Sequence, residues 1–79
     1  MSDYVFGLNK SGLSVIKLLY NQKKTFDCWD DNKRIRNFAN KHIPKLNLKK
    51  INQKKINLYK NIYLTPGISL NDKRFKNIS

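Results

Sequence analysis

Apolar residues in the first half of the chain follow two different spacings. Residues 3–6 form a short β-prone run that ends at Gly7. Apolar residues then recur every three or four positions, as on one side of a helix. This stripe consists of Leu13, Val15, Ile16, Leu18, Leu19 and Tyr20. Ser11 is the predicted N-cap of the helix, and Asn21 is predicted to end it.

A second strand and a second helix follow in the same manner. Residues 25–29 predict the strand, and residues 30–32 (Asp-Asp-Asn) supply caps for the helix. The predicted helix carries Ile35, Phe38 and Ala39 on one face, Lys41 and His42 in its last turn, and Pro44 beyond its end. This alternation of strands and helices is typical of right-handed βαβ units and a parallel sheet.

The pattern in the second half of the chain is weaker. Residues 45–48 favour a short edge strand, and residues 49–60 favour a lysine-rich surface with a weak helical tendency. Residues 61–64 predict a fourth strand, which residues 65–67 (Thr-Pro-Gly) stop. We therefore expect one small three-layer α/β domain over residues 1–79, with a mostly parallel four-stranded sheet in the order 3-2-1-4.

Composition limits the classes of function. The chain has 17 Lys and Arg against five Asp and Glu, which gives a formal net charge of +12. A basic nucleic-acid-binding module is one interpretation of this charge. The alternative is a general compositional bias, because 14 Lys, 11 Asn and 8 Ile are spread along the chain. One Cys and one His exclude an internal disulfide framework and a Cys/His zinc site.

The segment from Gly7 to Gly12 has the frame of the dinucleotide fingerprint G-x-G-x-x-G, between a predicted strand and helix. Gly7 permits a tight turn, and Gly12 lets the helix pack close to the strand. Asn9 replaces the middle glycine, so close approach of a diphosphate does not follow from the motif. A tight turn that binds no ligand is the alternative.

Asp30 follows the second predicted strand, 18 residues after Gly12. An acidic side chain at this place can accept hydrogen bonds from a ribose or a base, or it can cap the next helix. In the order 3-2-1-4 the Thr-Pro-Gly loop of residues 65–67 would lie beside the glycine loop. Ligands of open α/β sheets bind at such a point.

Three segments in order resemble the N-terminal domain of the bacterial Mur ligases, and among them the ligases that add D-glutamate. These segments are VFGLNKSGLS from Val5, CWDDN from Cys28 and LTPGISL from Leu64. The resemblance spans nearly the whole chain and is weakest over residues 49–60. It implies a Rossmann-like domain that binds no NAD and holds the UDP part of UDP-N-acetylmuramoyl-L-alanine. It also implies ATP and Mg²⁺ in later domains, so that this chain alone would be inactive.

The resemblance also implies which residues bind the UDP moiety. Lys10 and Ser11 match loop positions that touch the uridine, and Asp30 matches an acidic residue that hydrogen-bonds the uracil. The complete set of matched positions is Lys10, Ser11, Asp30, Asp31, Asn32 and Gly67. Two departures stand out, since Asn9 replaces a glycine and Asn32 occupies a position where some members have a basic side chain. No catalytic and no metal-binding residue is expected in this chain.

A last predicted helix would begin at Asn71 and Asp72, carry Phe75 and Ile78, and stop after about two turns. We therefore expect the front of a longer, monomeric, cytoplasmic ligase, with neither a nucleic-acid nor a membrane partner. The front of an NAD(P)- or flavin-dependent oxidoreductase is the alternative from another enzyme class. Asn9 and the Thr-Pro-Gly loop argue against that alternative.

Overall fold

The computed structural model describes residues 2–43, 45–65 and 72–75. Its strands form one parallel sheet in the order β2-β1-β3, namely β1 (Ser2–Phe6), β2 (Phe26–Trp29) and β3 (Tyr59–Leu64). The helices are α1 (Lys10–Asn21), between β1 and β2, and α2 (Lys33–His42), after β2. The small α/β domain with a parallel sheet that the sequence predicts is thereby confirmed.

Both faces of the sheet are covered because successive side chains of a strand point to opposite faces. On one face, both helices pack against the strands through Val5, Leu8, Ile16, Leu19, Cys28 and Ala39. On the other face, the cluster consists of Tyr4, Phe6, Ile51, Ile56 and Phe75. In the part of this layer that the structure describes, the chain is irregular, with short 3₁₀ turns at Ile56–Leu58 and Lys73–Phe75.

Residues 45–48, predicted as a strand, contribute a single parallel bridge between Leu48 and Cys28. The Cys28 N–H donates to the Asn47 carbonyl, and the Lys49 N–H donates to the Cys28 carbonyl, both at 3.0 Å. Lys45 has φ +69°, which lies in the left-handed region and ends extended pairing on that side. The described residues therefore form a three-stranded sheet, and the predicted four-stranded order is not formed as a full ladder.

The helix starts differ from the predictions by a few residues. Asn9, and not Ser11, is the N-cap residue of α1, and its side chain makes no capping hydrogen bond. Asn32 caps α2 by accepting hydrogen bonds from the N–H groups of Arg34 and Ile35, at 2.9 and 3.4 Å. The predictions for Pro44, Gly67, Asn71 and Ile78 lie outside the described residues.

Cys28, the only cysteine of the chain, lies in the middle of β2 and is completely buried. Burial, together with the nearby carboxylate of Asp27, raises the pKa of its thiol to about 12. Cys28 therefore behaves as a small apolar side chain of the core and not as a nucleophile.

Candidate functional site

The loop after β1 turns sharply at Gly7, which has φ +102°. The Gly7 N–H donates to the Trp29 carbonyl at 2.8 Å, so the loop is held against the end of β2. A Cβ on Gly7 would overlap Thr65 Oγ1, and a Cβ on Gly12 would overlap the Gly7 carbonyl oxygen. These two positions have no room for a side chain, and their closeness brings the first turn of α1 against the sheet.

The N-terminus of α1 is open to solvent. Asn9 has φ −72° and ψ −173°, an extended conformation that needs no left-handed backbone. Lys10 and Ser11 follow it in the first turn, and both are exposed. The first N–H groups of a helix have no partner within it, and here the Asn9 side chain does not cap them. Such a helix end favours an anionic group.

A groove of about 320 Å³ lies between the first turns of α1 and α2. Its walls are formed by Leu8, Asn9, Lys10, Leu13, Arg34, Ile35 and Phe38. One part of this lining is apolar, whereas Lys10 and Arg34 bring positive charge. The groove therefore suits a small molecule that combines a flat ring, packed on the apolar side chains, with an anionic group.

Asp30 connects the loop after β1 to the turn after β2. One carboxylate oxygen accepts a hydrogen bond from the Leu8 N–H and the other from the Asn32 N–H, both at 2.9 Å. Its carbonyl oxygen accepts from the Arg36 guanidinium at 2.7 Å. Each carboxylate oxygen has a further acceptor site, so the same side chain can hold both loops and meet a donor from a ligand.

Arg74 joins the 3₁₀ turn Lys73–Phe75 to the end of β2. Its guanidinium makes two hydrogen bonds to Asp31, at 2.9 and 2.8 Å, and also pairs with Asp72 at 2.7 Å. It lies 4.6 Å from the centre of the Phe6 ring. Hydrogen bonds from Arg74 lower the pKa of Asp31 and lower that of Asp72 to about 2. These carboxylates raise the pKa of Arg74 in turn.

The whole chain matches one family description. Residues 1–79 match the Mur ligase MurD-like, N-terminal domain. The chain belongs to this Mur ligase family. A search of curated proteins finds no match to the chain. Family membership places this Mur ligase domain in the context of a ligase enzyme.

Five of the six predicted UDP-binding residues of this Mur ligase domain lie at the carboxyl edge of its sheet. Lys10 and Ser11 lie in the first turn of α1, Asp30 holds the two loops together, Asp31 binds Arg74, and Asn32 caps α2. Gly67 lies outside the described residues. Thr65, the last described residue before it, lies beside the glycine loop, because its N–H donates to the Phe6 carbonyl at 3.1 Å.

Sequence reasoning missed Arg34, Phe38 and Arg74. Phe38 was predicted to share one face of the helix with Ile35 and Ala39. Ala39 is buried, whereas Phe38 is 56% exposed and forms a wall of the groove. The sequence feature that could have indicated the exposed position of Phe38 is its place one turn after Arg34, on the helix that follows residues 30–32. Arg74 lies 43 residues from Asp31, so no local pattern links the two.

The described part of this Mur ligase domain contains neither a cluster of side chains that could hold a metal ion nor a helix that could cross a membrane. Residues 2–43, 45–65 and 72–75 contain no group of three His, Cys, Asp or Glu side chains that could hold a metal ion. Within the same ranges, neither α1 nor α2 is long and apolar enough to cross a membrane.

Proposed function

We propose that this chain is the UDP-recognising N-terminal part of UDP-N-acetylmuramoylalanine–D-glutamate ligase, which acts in peptidoglycan synthesis. The observation that carries the proposal is the groove at the uncapped N-terminus of α1, with Lys10 and Arg34 in its lining. A nucleoside diphosphate has the two properties that this groove suits, a flat ring and a strongly anionic group.

In this proposal, each group of the UDP has its own contact. The diphosphate lies at the N-terminus of α1, where the N–H groups that Asn9 does not cap and the exposed Lys10 favour negative charge. The uracil lies against the apolar lining, and its imide N–H donates to the Asp30 carboxylate. Asp31, Asn32 and Gly67 flank the nucleotide, and Ser11 adds a hydroxyl in the first turn of α1.

The chemistry of the ligase is assigned to other domains. There ATP, with Mg²⁺, would phosphorylate the carboxylate of the substrate and leave ADP, and the amine of D-glutamate would displace phosphate from the acyl phosphate to form the amide. This chain would bind the UDP end of the substrate and orient it, and it would have no ligase activity by itself.

A chemical-shift titration of the 79-residue chain with UDP and, separately, NAD tests the nucleotide proposal. At millimolar UDP, we expect shifts at the amides of Leu8, Lys10, Ser11 and Asp30. Lys10→Gln should weaken UDP binding several-fold, and Lys17→Gln on the exposed side of α1 is the matched control. If NAD shifts these amides and UDP does not, the oxidoreductase alternative is correct and the proposal is wrong.

The choice of D-glutamate needs a separate experiment. The coding sequence beyond Ser79 is expected to encode a G-T-N-G-K-[ST]-T-like ATP loop. The complete gene product should release phosphate from ATP only when UDP-N-acetylmuramoyl-L-alanine and D-glutamate are both present. Equal turnover with another amino acid in place of D-glutamate would contradict this specificity and leave UDP recognition intact.

A further inference from the structure

The amino-terminal edge of the sheet, opposite the glycine loop, concentrates positive charge. Three adjoining hollows of about 270, 460 and 280 Å³ surround the starts of the strands. Lys24 lines the first and second hollows, and Lys49 lines the second and third. The exposed lysines of these hollows form what we call the lysine rim: Lys23, Lys24, Lys45, Lys49, Lys50, Lys55 and Lys60.

The fold brings two separate segments together in the lysine rim. It contains seven of the 14 lysines of the chain, two from residues 23–24 and five from residues 45–60. The same hollows contain two acidic residues, Asp3 and Asp27. Seven lysines stand against these two carboxylates, so the edge keeps an excess of positive charge. A polyanion is therefore attracted to this edge.

The largest hollow adds an exposed aromatic ring to this charge. Tyr20 is 45% exposed and packs edge to face on Phe26, with ring centres 5.4 Å apart. Lys24, Lys45 and Lys49 line the same hollow. Single-stranded nucleic acids bind to positively charged grooves in which lysines track the phosphates and aromatic rings stack on bases.

We propose that the lysine rim binds single-stranded nucleic acid, although the sequence alone led us to expect no nucleic-acid partner. This site is separate from the groove between α1 and α2 at the other edge. The fold places lysines around a hollow that also contains the exposed Tyr20 ring. A compositional bias towards lysine does not by itself require this arrangement. An anionic membrane is the competing partner, because Leu58 is 64% exposed in the third hollow. Single-stranded nucleic acid is the favoured partner because three of the lysines line the same hollow as the Tyr20 ring.

Fluorescence anisotropy of a labelled oligothymidylate of about 12 nucleotides tests this site on the 79-residue chain. The double variant Lys24→Gln/Lys49→Gln should lose about 25-fold in affinity at about 0.1 M salt. The slope of log affinity against log salt should fall by about 1.4. The matched control Lys17→Gln/Lys41→Gln removes the same charge from the exposed sides of α1 and α2, and should change affinity by about twofold at most.

Further variants separate stacking from charge and nucleic acid from membrane. Tyr20→Ala should weaken oligonucleotide binding about fivefold or more, whereas Leu18→Ala, on the same helix, should not. Leu58→Asn should leave oligonucleotide binding unchanged, and so should saturating UDP. The proposal is overturned by equal losses in both double variants, by displacement with UDP, or by tighter binding to phosphatidylserine vesicles that Leu58→Asn abolishes.

Discussion

Gly12 shows how tightly the glycine loop is packed, because a single added methyl group would overlap the backbone of Gly7. We expect Gly12→Ala to lower the free energy of unfolding by about 3 kcal/mol, since the overlapping atom is a backbone carbonyl that cannot rotate away. Lys17→Ala, on the exposed side of the same helix, is the control and should change it by about 0.5 kcal/mol at most. Urea denaturation followed by circular dichroism measures both, and equal stability of the two variants would contradict this packing.

Asp30 is a second residue whose structural role can be measured. Asp30→Asn replaces one acceptor with an amide that faces a backbone N–H, so we expect a loss of about 1–3 kcal/mol. Asp31→Asn removes a charge from a more exposed site and should cost about 1 kcal/mol or less. Thermal unfolding of both variants gives the comparison. A larger loss for Asp31→Asn would show that Asp30 does not hold the two loops.

Single residues were predictable from the sequence where their environment is local. The requirement for glycine at positions 7 and 12 follows from the strand, loop and helix around them. The double use of Asp30 was not visible, because one of its donors, Leu8, lies 22 residues away. Arg74 was missed for the same physical reason, since its charge partner Asp31 is brought near only by folding.

The side chain of Asn32 caps the start of helix α2. Asn32→Ala removes the acceptor for the Arg34 and Ile35 N–H groups, so we expect a loss of about 1 kcal/mol. Asn37→Ala removes an exposed Asn from the middle of the same helix and should be neutral or slightly stabilising, because Ala is the better helix former. Amide hydrogen exchange in α2 reads the effect locally. Equal protection in both variants would argue against the cap.

The 3₁₀ turn Lys73–Phe75 is attached through Arg74, and this attachment predicts a pH dependence. The pKa values of Asp31 and Asp72 are lowered in the folded state, that of Asp72 to about 2. Their contribution to stability is therefore complete above the unfolded value of about 4 and is lost as the pH falls towards the folded values. Arg74→Gln should flatten the fall in stability below about pH 4. Unfolding curves that keep the same pH dependence in this variant would contradict the pairing.

The regular elements were predicted to within a few residues because their hydrophobic spacing is clear. β3 begins at Tyr59, two residues before the predicted start at residue 61. The prediction missed Tyr59 because Lys60 and Asn61 separate it from the other apolar residues of the strand. Residues 45–48 have an alternating pattern, but Lys45 takes a left-handed conformation that the pattern does not reveal. The irregular layer over the second face is lysine-rich, so only isolated residues such as Ile51 and Ile56 mark its contact with the sheet.

The two edges of the sheet differ in chemistry across the whole molecule. The carboxyl edge has the glycine loop, the groove between α1 and α2, and three of the five acidic residues, Asp30, Asp31 and Asp72. The amino edge has the lysine rim. Composition predicted the amount of charge, and the lysine-rich residues 49–60 predicted part of its position. That Lys60 lies beside Lys23 and Lys24 was not predictable, because these segments meet only when the parallel sheet forms.

The buried thiol of Cys28 can be used to measure how often the sheet opens at β2. Since only the thiolate reacts and its pKa is raised to about 12, an alkylating reagent should modify the native protein only when β2 separates from its neighbours. The alkylation rate should rise with urea in parallel with global unfolding and should be faster in Gly12→Ala. Mass spectrometry counts the modified fraction, and rapid labelling without denaturant would mean that the β2 edge opens by itself. The alkylation rate of this one thiol therefore measures how often the sheet opens at β2.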